Sequence, residues 1–450
     1  WNYLPLTQKE QLIETELAKR FASVPPVSQL LVERGVTSVE EADRFLHPQL
    51  KNLHDPFLLP DMDKAVERLN RAMGSKEKIM VYGDYDVDGT TAVALVYKYL
   101  QNFYSNIDYF IPTRYEEGYG ISSETIDDFA CQGVKLVIIL DCGIKANVEI
   151  AHAREHGIDF IICDHHVPDD ELPQAVAILN PKMPGSTYPC PHLSGCGVGY
   201  KLMQAFSISN GIPQADLEGM LDLVAVSIAA DIVPMVDENR VMTFYGLRRL
   251  NSNPNMGLRA IIRICGLTGK EITISDVIFK IGPRINASGR MQSGREAVDL
   301  LVSRDITDAY QKARNIDQYN KDRKELDRRI TEEANAILSQ RIEAGSNKKS
   351  IVIFNKDWHK GIIGIVASRL TELYYKPSVV LTLSNGLATG SSRSVQGFDI
   401  YAAVDSTRDL LENFGGHTYA VGLSMKEENI AEFSRRFEEY VAENIQPNQL

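Results

Sequence analysis

Residues 81–91 read Val81-Tyr82-Gly83-Asp84-Tyr85-Asp86-Val87-Asp88-Gly89-Thr90-Thr91. Three aspartates alternate over five positions, directly after an apolar run at 78–82 and directly before a helical pattern at 91–100. In an extended segment alternate side chains point the same way, so the spacing predicts three carboxylates on one side. Like charges so close repel strongly unless a cation sits among them. Gly89 permits a tight turn into the helix. An N-capping role accounts for one aspartate, not three. A calcium loop of the EF-hand kind is excluded, because its bidentate Glu is missing and the flanks are strand and helix. The segment therefore reads as a cation-binding turn at the carboxyl end of a strand.

Working outward, strands and helices alternate. Strands are predicted at 78–82, 107–111, 134–140 and 158–163, and helices at 91–100, 123–131 and 146–156. Apolar strands alternating with helices imply a parallel sheet covered on both faces. Before it, residues 1–55 read as a small helical region, in which Ser38-Val39-Glu40-Glu41 has the form of a capping box opening a helix through Phe45. After it, 180–199 is rich in Pro, Gly and Ser and reads as a loop, and 221–232 as an apolar helix. Residues 306–344 lack Pro and Gly and carry many charges. As one helix they span about 58 Å at 1.5 Å per residue, and a polar helix of that length is expected to bridge two domains. Strands at 351–354 and 379–382 open a second, smaller unit. The predicted class is α/β: a parallel-sheet domain at 56–305, a connecting helix at 306–345, and a smaller α/β domain at 346–450.

Two further strands end in chemistry. The 134–140 run is followed by Asp141-Cys142-Gly143, and the 158–163 run by Asp164-His165-His166. In open α/β sheets ligands bind outside the carboxyl ends of strands, so these residues and the first aspartates are predicted to share one edge. Imidazole with carboxylate suits Mn²⁺ or Zn²⁺, and more carboxylate favours Mg²⁺ or Mn²⁺. Each motif alone is weak, since an Asp after a strand is commonly a helix cap and paired histidines are commonly solvated. Asp231 lies in Ser227-Ile228-Ala229-Ala230-Asp231-Ile232-Val233-Pro234, at the end of an apolar helix. A buried carboxylate there is costly, and a ligand role removes the cost. The alternative, a surface Asp beside a helix C-terminus, is disfavoured by the dipole.

Composition bounds the class. The chain has 450 residues, 44% hydrophobic and 24% charged, enough for two or three domains. No run approaches the ~20 apolar residues of a membrane span. Six cysteines form no Cys-x-x-Cys pair, which argues against a disulfide framework or zinc ribbon and for a reducing, cytoplasmic setting. The chain starts at Trp1 without an initiator Met or a signal peptide and is expected to be trimmed. Forty-eight basic against sixty acidic residues give a net charge of −12. That disfavours a generic basic nucleic-acid binder, but fits an enzyme that gathers carboxylates around cations; two divalent ions would locally offset four of those charges.

Taken together, Asp84-Tyr85-Asp86-Val87-Asp88-Gly89, Asp141-Cys142-Gly143, Asp164-His165-His166 and Ala230-Asp231-Ile232-Val233-Pro234 resemble the four motifs of the DHH phosphoesterase superfamily. The similarity is closest to the RecJ-type single-stranded-DNA exonucleases and covers nearly the whole chain. Arg34-Gly35-Val36-Thr37 and Phe45-Leu46-His47-Pro48 resemble their N-terminal segment. Trp358-His359-Lys360-Gly361-Ile362-Ile363-Gly364, Gly390-Ser391-Ser392-Arg393-Ser394 and Gly415-Gly416-His417 resemble the DHH-associated (DHHA1) domain. The resemblance implies 5′→3′ degradation of single-stranded DNA with two divalent cations, Mn²⁺ or Mg²⁺, in DNA repair and recombination. Single-strand-binding protein and a helicase are the protein partners it suggests. RecJ proteins typically continue into an OB-fold that grips single strands; this chain stops at Leu450, so either a truncated chain or a shorter relative is expected.

Phosphodiester hydrolysis needs a hydroxide, in-line geometry and neutralised phosphate charge, which two metals can supply. On the resemblance, Asp88, Asp141, His165 and Asp231 are assigned to one metal, and Asp86, Asp88 and Asp141 to the other, with Asp84 close by. His166 is assigned to the scissile phosphate as electrophile or proton donor, and Asp164 to holding an imidazole. Arg114, Arg284 and Arg393 are candidate phosphate forks, with Asn286 beside Arg284. Ser391, Gly416 and His417 are candidate donors, and the resemblance puts Ser391, Arg393 and His417 at positions where the family's associated domain reads the 5′ end. Tyr115 and Tyr119 are candidate stacking residues, with core packing as the alternative. Two other functions compete. A DHH phosphodiesterase for short oligonucleotides or cyclic dinucleotides lacks the helical N-terminal region and the long helix. A non-catalytic replication scaffold predicts lost ligands, and none is lost.

Overall fold

The computed structural model describes residues 5–22, 25–113, 120–345, 347–446 and 449. The chain divides into two compact units, one of Trp1–Gly289 with Ser293–Ile316 and one of Arg290–Gln292 with Asp317–Leu450.

The first unit is built on five parallel strands: β1 (Lys78–Gly83), β2 (Ile107–Phe110), β3 (Val134–Leu140), β4 (Asp159–Cys163) and β5 (Ala177–Leu179), in the order β2-β1-β3-β4-β5. The parallel sheet agrees with the sequence expectation, and β5 is an addition to it. β-Branched residues at both faces are buried, as a sheet covered on two sides requires. Met80, Tyr82, Val137, Ile139, Phe160 and Ile162 face a core closed by Ile126 and Phe129 of the helix Ser123–Cys131 and Ile150 and Ala153 of the helix Asn147–Glu155. The helices Val87–Leu100, Gly195–Ser209 and Leu221–Asp231 pack against one another in the same unit. Strand order reverses between β1 and β3, and such a switch point opens a crevice at the carboxyl edge.

Three local expectations need correction. The 84–88 segment is not extended. Asp86 is the N-cap of the helix Val87–Leu100, accepting the Gly89 N–H at 3.0 Å, and Asp88 lies in the helix's first turn. The 180–199 stretch is not loop throughout, because the helix Gly195–Ser209 begins inside it, capped by Ser194. Ser38 caps the helix Val39–Leu46 by accepting the Glu41 N–H at 3.2 Å, but the Glu41 carboxylate turns to the N–H and hydroxyl of Thr37, so the box is not reciprocal.

The 306–344 stretch is one helix, Ile306–Glu343, of 38 residues. Pairs four residues apart support it, including Lys312–Asp308, Lys321–Asp317 and Arg328–Glu332. It is more than a polar spacer. Ala309, Ala313 and Ile316 are buried in its first-unit part, and Ile330, Ala334 and Leu338, spaced by four, join a core of the second unit with Ile353, Val366 and Leu370.

The second unit carries a mixed sheet in the order β6-β7-β8-β10-β9: β6 (Ile351–Phe354), β7 (Ser378–Ser384), β8 (Leu387–Arg393), β9 (Leu411–His417) and β10 (Ala420–Met425). β6 and β7 are parallel and the other pairs antiparallel. The helix Ile363–Tyr374 packs on β7 and β8, and Phe433, Phe437 and Val441 of the helix Ile430–Asn444 join the second core of this unit. Among the described residues, no helix is long and apolar enough to cross a membrane.

Candidate metal centre

The ends of β1, β3 and β4 bring the acidic motifs to one edge. The sheet ladder continues into them: the Asp141 N–H donates to the Cys163 carbonyl at 2.9 Å, and the Asp164 N–H to the Leu179 carbonyl at 3.1 Å. Asp141 then turns sharply, with φ at 60°. Asp is among the few residues other than glycine that visit this region at modest cost, and the turn aims its carboxylate across the β1 end. Close packing of the β1 turn requires Gly89: a Cβ there would stand 2.3 Å from the Asp84 carbonyl oxygen.

Asp88 is held from outside the motif. Its buried carboxylate accepts the N–H of Gly195 at 2.7 Å, the N–H of Cys196 at 2.8 Å and the hydroxyl of Ser227 at 2.6 Å. The Ser227 hydroxyl in turn meets that of Ser194 at 2.6 Å. An anion at the first turn of a helix is favoured by the free N–H groups and the dipole, so the 195–209 helix fixes this carboxylate. Gly195 also lies against Asp141, where a Cβ would sit 2.6 Å from the Asp141 Cβ.

His165 sits among carboxylates. Its Nε2 is 3.2 Å from Asp141 Oδ1, 3.6 Å from Asp231 Oδ2 and 3.7 Å from Asp88 Oδ2. Among the described residues, neither ring nitrogen of this buried imidazole has a hydrogen-bond partner. Burial lowers its proton affinity below the usual histidine range, which keeps it in the neutral form that ligates metal.

The neighbouring acids show strain of the opposite sign. Burial, then the charges of Asp88, Asp86 and Asp84, push Asp141 well above the usual carboxylate range. Burial and Asp88 raise Asp86. Burial, then Asp88 and Asp86, push Asp231 up to about 8, although its side chain keeps 29% exposure and is not sealed in as the sequence suggested. A divalent cation relieves such a cluster. Ligand atoms lie within 4.8 Å of one another in three combinations here: Asp88, His165 and Asp231; Asp84, Asp86 and Asp141; and Asp141, His165 and His166. Asp141 and His165 each belong to two of these combinations, and Asp88 to one. The donor set fits hard-to-borderline divalent ions.

Asp164 is a buried anchor. It accepts the N–H of Ile144 at 3.1 Å, of His165 at 2.7 Å and of His166 at 3.1 Å, and meets His166 Nδ1 at 2.7 Å. Burial opposes its ionisation, but these bonds and the His166 charge outweigh it and hold the carboxyl low. For His166 burial acts downward, and the Asp164 bond with the charges of Asp164, Asp231 and Asp88 carries the net shift upward. The ring is 45% exposed, so it can reach a substrate.

The remaining predicted residues fall in separate places. Arg114, Tyr115 and Tyr119 lie outside the described residues. Arg284 and Asn286 are half-buried on the helix Gly282–Met291, where Arg284 Nη1 donates to the Lys280 carbonyl at 2.7 Å and Gly289 lies against the Tyr85 backbone. In the second unit, register aligns Arg393 with Ala420 and Ala420 with His417, so both charged-type side chains share a sheet face, two strands apart. Arg393 Nη1 donates to the Ser391 hydroxyl at 3.0 Å. Gly416 is extended against β10 with φ at 153°. Gly195, Cys196 and Ser227 went unassigned in the sequence; the Ser-Gly-x-Gly run at 194–197, capable of opening a helix, was the available signal.

The family model described as the DHH family, N-terminal domain, matches residues 78–228, and the DHHA1 domain model matches 347–443. The single-stranded-DNA-specific exonuclease RecJ of Bacillus subtilis is 38% identical over 430 residues, covering 95% of this chain and 53% of that protein. The protein of the same description from Salmonella typhimurium is 34% identical over 451 residues, covering 96% and 77%. The chain thus spans about half the length of the first relative and roughly three quarters of the second. The structure of RecJ from Thermus thermophilus in complex with Mn²⁺ superposes with a TM-score of 0.83 at 28% identity, covering 99% of this chain and 62% of that one. The same protein was also solved with Mg²⁺, at a TM-score of 0.77, 26% identity, and coverage of 99% and 61%.

Proposed function

The chain belongs to the RecJ family of DHH proteins, and from that membership and its strand-end site we propose that it hydrolyses single-stranded DNA from the 5′ end, using two divalent cations, Mn²⁺ or Mg²⁺. The observation that carries the reading is His165, a buried imidazole with no hydrogen-bond partner among the described residues, set 3.2–3.7 Å from three carboxylates. A structural histidine is satisfied by a hydrogen bond, and the lack of one beside three carboxylates supports a ligand role for His165.

Asp88, His165 and Asp231 would hold one cation and Asp84, Asp86 and Asp141 the other, and Asp141, 3.2 Å from His165 Nε2, would serve both. Ions held there would supply a hydroxide at neutral pH and neutralise charge on the phosphate. The chain's own residues do the rest. Asp164 fixes the His166 ring through Nδ1, which leaves Nε2 to hold a proton toward the phosphate or the leaving oxygen. The helix at 195–209 and Ser227 keep the Asp88 carboxylate from rotating, so the ligand set is preorganised. In the second unit, Ser391, Arg393 and His417 offer a row of donors suited to a terminal phosphate, with Gly416 allowing close backbone approach. Arg284 and Asn286 are further phosphate-contact candidates. Single-strand-binding protein and a helicase are the partners this role implies.

The test uses a single strand of about 20–40 nucleotides, labelled at the 5′ or the 3′ end, and a dinucleotide, each with Mn²⁺. Early release of the 5′ label with the long strand preferred supports the reading. Turnover of the dinucleotide alone would assign the chain to short-oligonucleotide hydrolysis instead.

A further inference from the structure

A second set of ligating side chains converges in the first unit, away from the strand-end site. Asp127 lies on the helix Ser123–Cys131, and His152 on the helix Asn147–Glu155, whose C-cap is His156. Residues four apart share a helix face, and the two imidazoles stand with centroids 4.7 Å apart and planes at 73°. Both Nε2 atoms face the same oxygen, Asp127 Oδ1, at 2.7 Å from His152 and 3.4 Å from His156. The three ligand atoms lie within 4.8 Å of one another, and all three side chains are reachable from solvent. The 147–155 helix runs back from the carboxyl edge and ends just before β4 starts at Asp159. The trio therefore lies toward the opposite edge of the sheet from Asp141 and His165.

We propose that Asp127, His152 and His156 form a separate binding site for a late first-row divalent cation such as Zn²⁺. Two imidazoles and one carboxylate select Zn²⁺, Ni²⁺ or Cu²⁺ over Mg²⁺, which prefers oxygen ligands. Ligands ~2.0–2.2 Å from a tetrahedral ion stand roughly 3.3–3.5 Å apart. The His156–Asp127 separation of 3.4 Å already meets that spacing, and the 2.7 Å pair reaches it by rotation of the half-exposed carboxylate. Three protein ligands leave a fourth position toward solvent, open to water. An ion here would tie the 123–131 helix to the 147–155 helix, the two that cover one face of the sheet. Its role is distinct from hydrolysis and does not depend on the proposed nuclease activity.

Equilibrium dialysis of the whole chain against Zn²⁺, with bound zinc counted by elemental analysis, compares wild type with a His152→Gln/His156→Gln variant whose far-UV circular dichroism confirms folding. The variant is expected to hold one zinc fewer per chain and to show a smaller Zn²⁺-induced rise in Tm. Equal zinc content overturns the site and leaves the trio as a hydrogen-bonded histidine–carboxylate cluster. A zinc-edge anomalous map of wild type decides the matter without a variant. A peak bonded to both Nε2 atoms supports the site, and zinc confined to the strand-end carboxylates contradicts it.

Discussion

The backbone N–H of Gly195 donates to Asp88 Oδ2 at 2.7 Å while the α-carbon of the same residue lies against Asp141. One residue thus sets the spacing between two carboxylates that come from different strand ends. A Cβ there would stand 2.6 Å from the Asp141 Cβ and 2.8 Å from its Oδ1. Gly195→Ala should therefore force the two apart, at about 1–3 kcal/mol of stability. Mn²⁺ affinity or hydrolysis should fall roughly 10–100-fold. Urea unfolding and a Mn²⁺ titration of the hydrolysis rate check both, and a variant with wild-type metal dependence would show that the contact is not limiting.

Ser227→Ala removes the hydroxyl that donates to Asp88 at 2.6 Å and also strips Ser194 of a partner. A hydrogen bond to a charged acceptor contributes about 1.5–3 kcal/mol. The predicted signature is a higher Mn²⁺ requirement, with activity largely restored at saturating Mn²⁺. A loss that saturating metal does not recover would place Ser227 in the chemical step instead.

Asp164→Asn separates positioning from ligation. The carboxylate orients His166 through Nδ1 and gathers three backbone N–H groups, yet it is not among the clustered ligand atoms. Mn²⁺ affinity should stay within about threefold while kcat falls by roughly 10²-fold or more, the usual scale for losing a positioned acid. Equal losses in both would mean that Asp164 acts on the metal ligands, His165 included.

His54 supplies the pH prediction. Its Nε2 meets Asp237 Oδ2 at 2.9 Å, tying the segment before the sheet to the helix Asp237–Ser252. The Asp237 hydrogen bond raises its pKa above the usual histidine value, against the opposing effect of burial. A histidine held above its unfolded value adds stability that is fully present below about pH 6.5 and is lost as pH rises through the raised folded value. Asp237→Asn should therefore cost more at pH 6 than at pH 8, with a difference of about 1 kcal/mol or less for a partly exposed pair. Urea midpoints at the two pH values measure it, and a larger cost at pH 8 would reverse the sign and refute the assignment.

Strands are the legible part, because apolar, β-branched runs announce themselves. The runs at 134–140 and 351–354 are β-branched and apolar, and they coincide with β3 and β6. The acidic segment lies at the strand end its position predicts, but in a different conformation. Asp-x-Asp-x-Asp has the period of a strand, yet Asp86 accepts the Gly89 N–H and starts the helix there, a local bond that a period cannot reveal. The 195–199 glycines resembled a loop because glycine disfavours helices. They are tolerated because Gly195 must clear Asp141 and Gly199 must clear Leu140 and Val96, contacts between residues far apart in sequence. β8 is invisible to a propensity pattern for a related reason. Its Gly390-Ser391-Ser392 centre has little strand propensity and is held by pairing with β7 and β10 on its two sides.

A manganese-edge anomalous difference map of crystals grown with Mn²⁺ shows whether the ends of β1, β3 and β4 hold two divalent cations. Two peaks at bonding distance are expected, one shared by Asp88, His165 and Asp231 and one by Asp84, Asp86 and Asp141. A map with no peak beside His165, its ring nitrogens bonded to protein or water alone, would contradict that assignment.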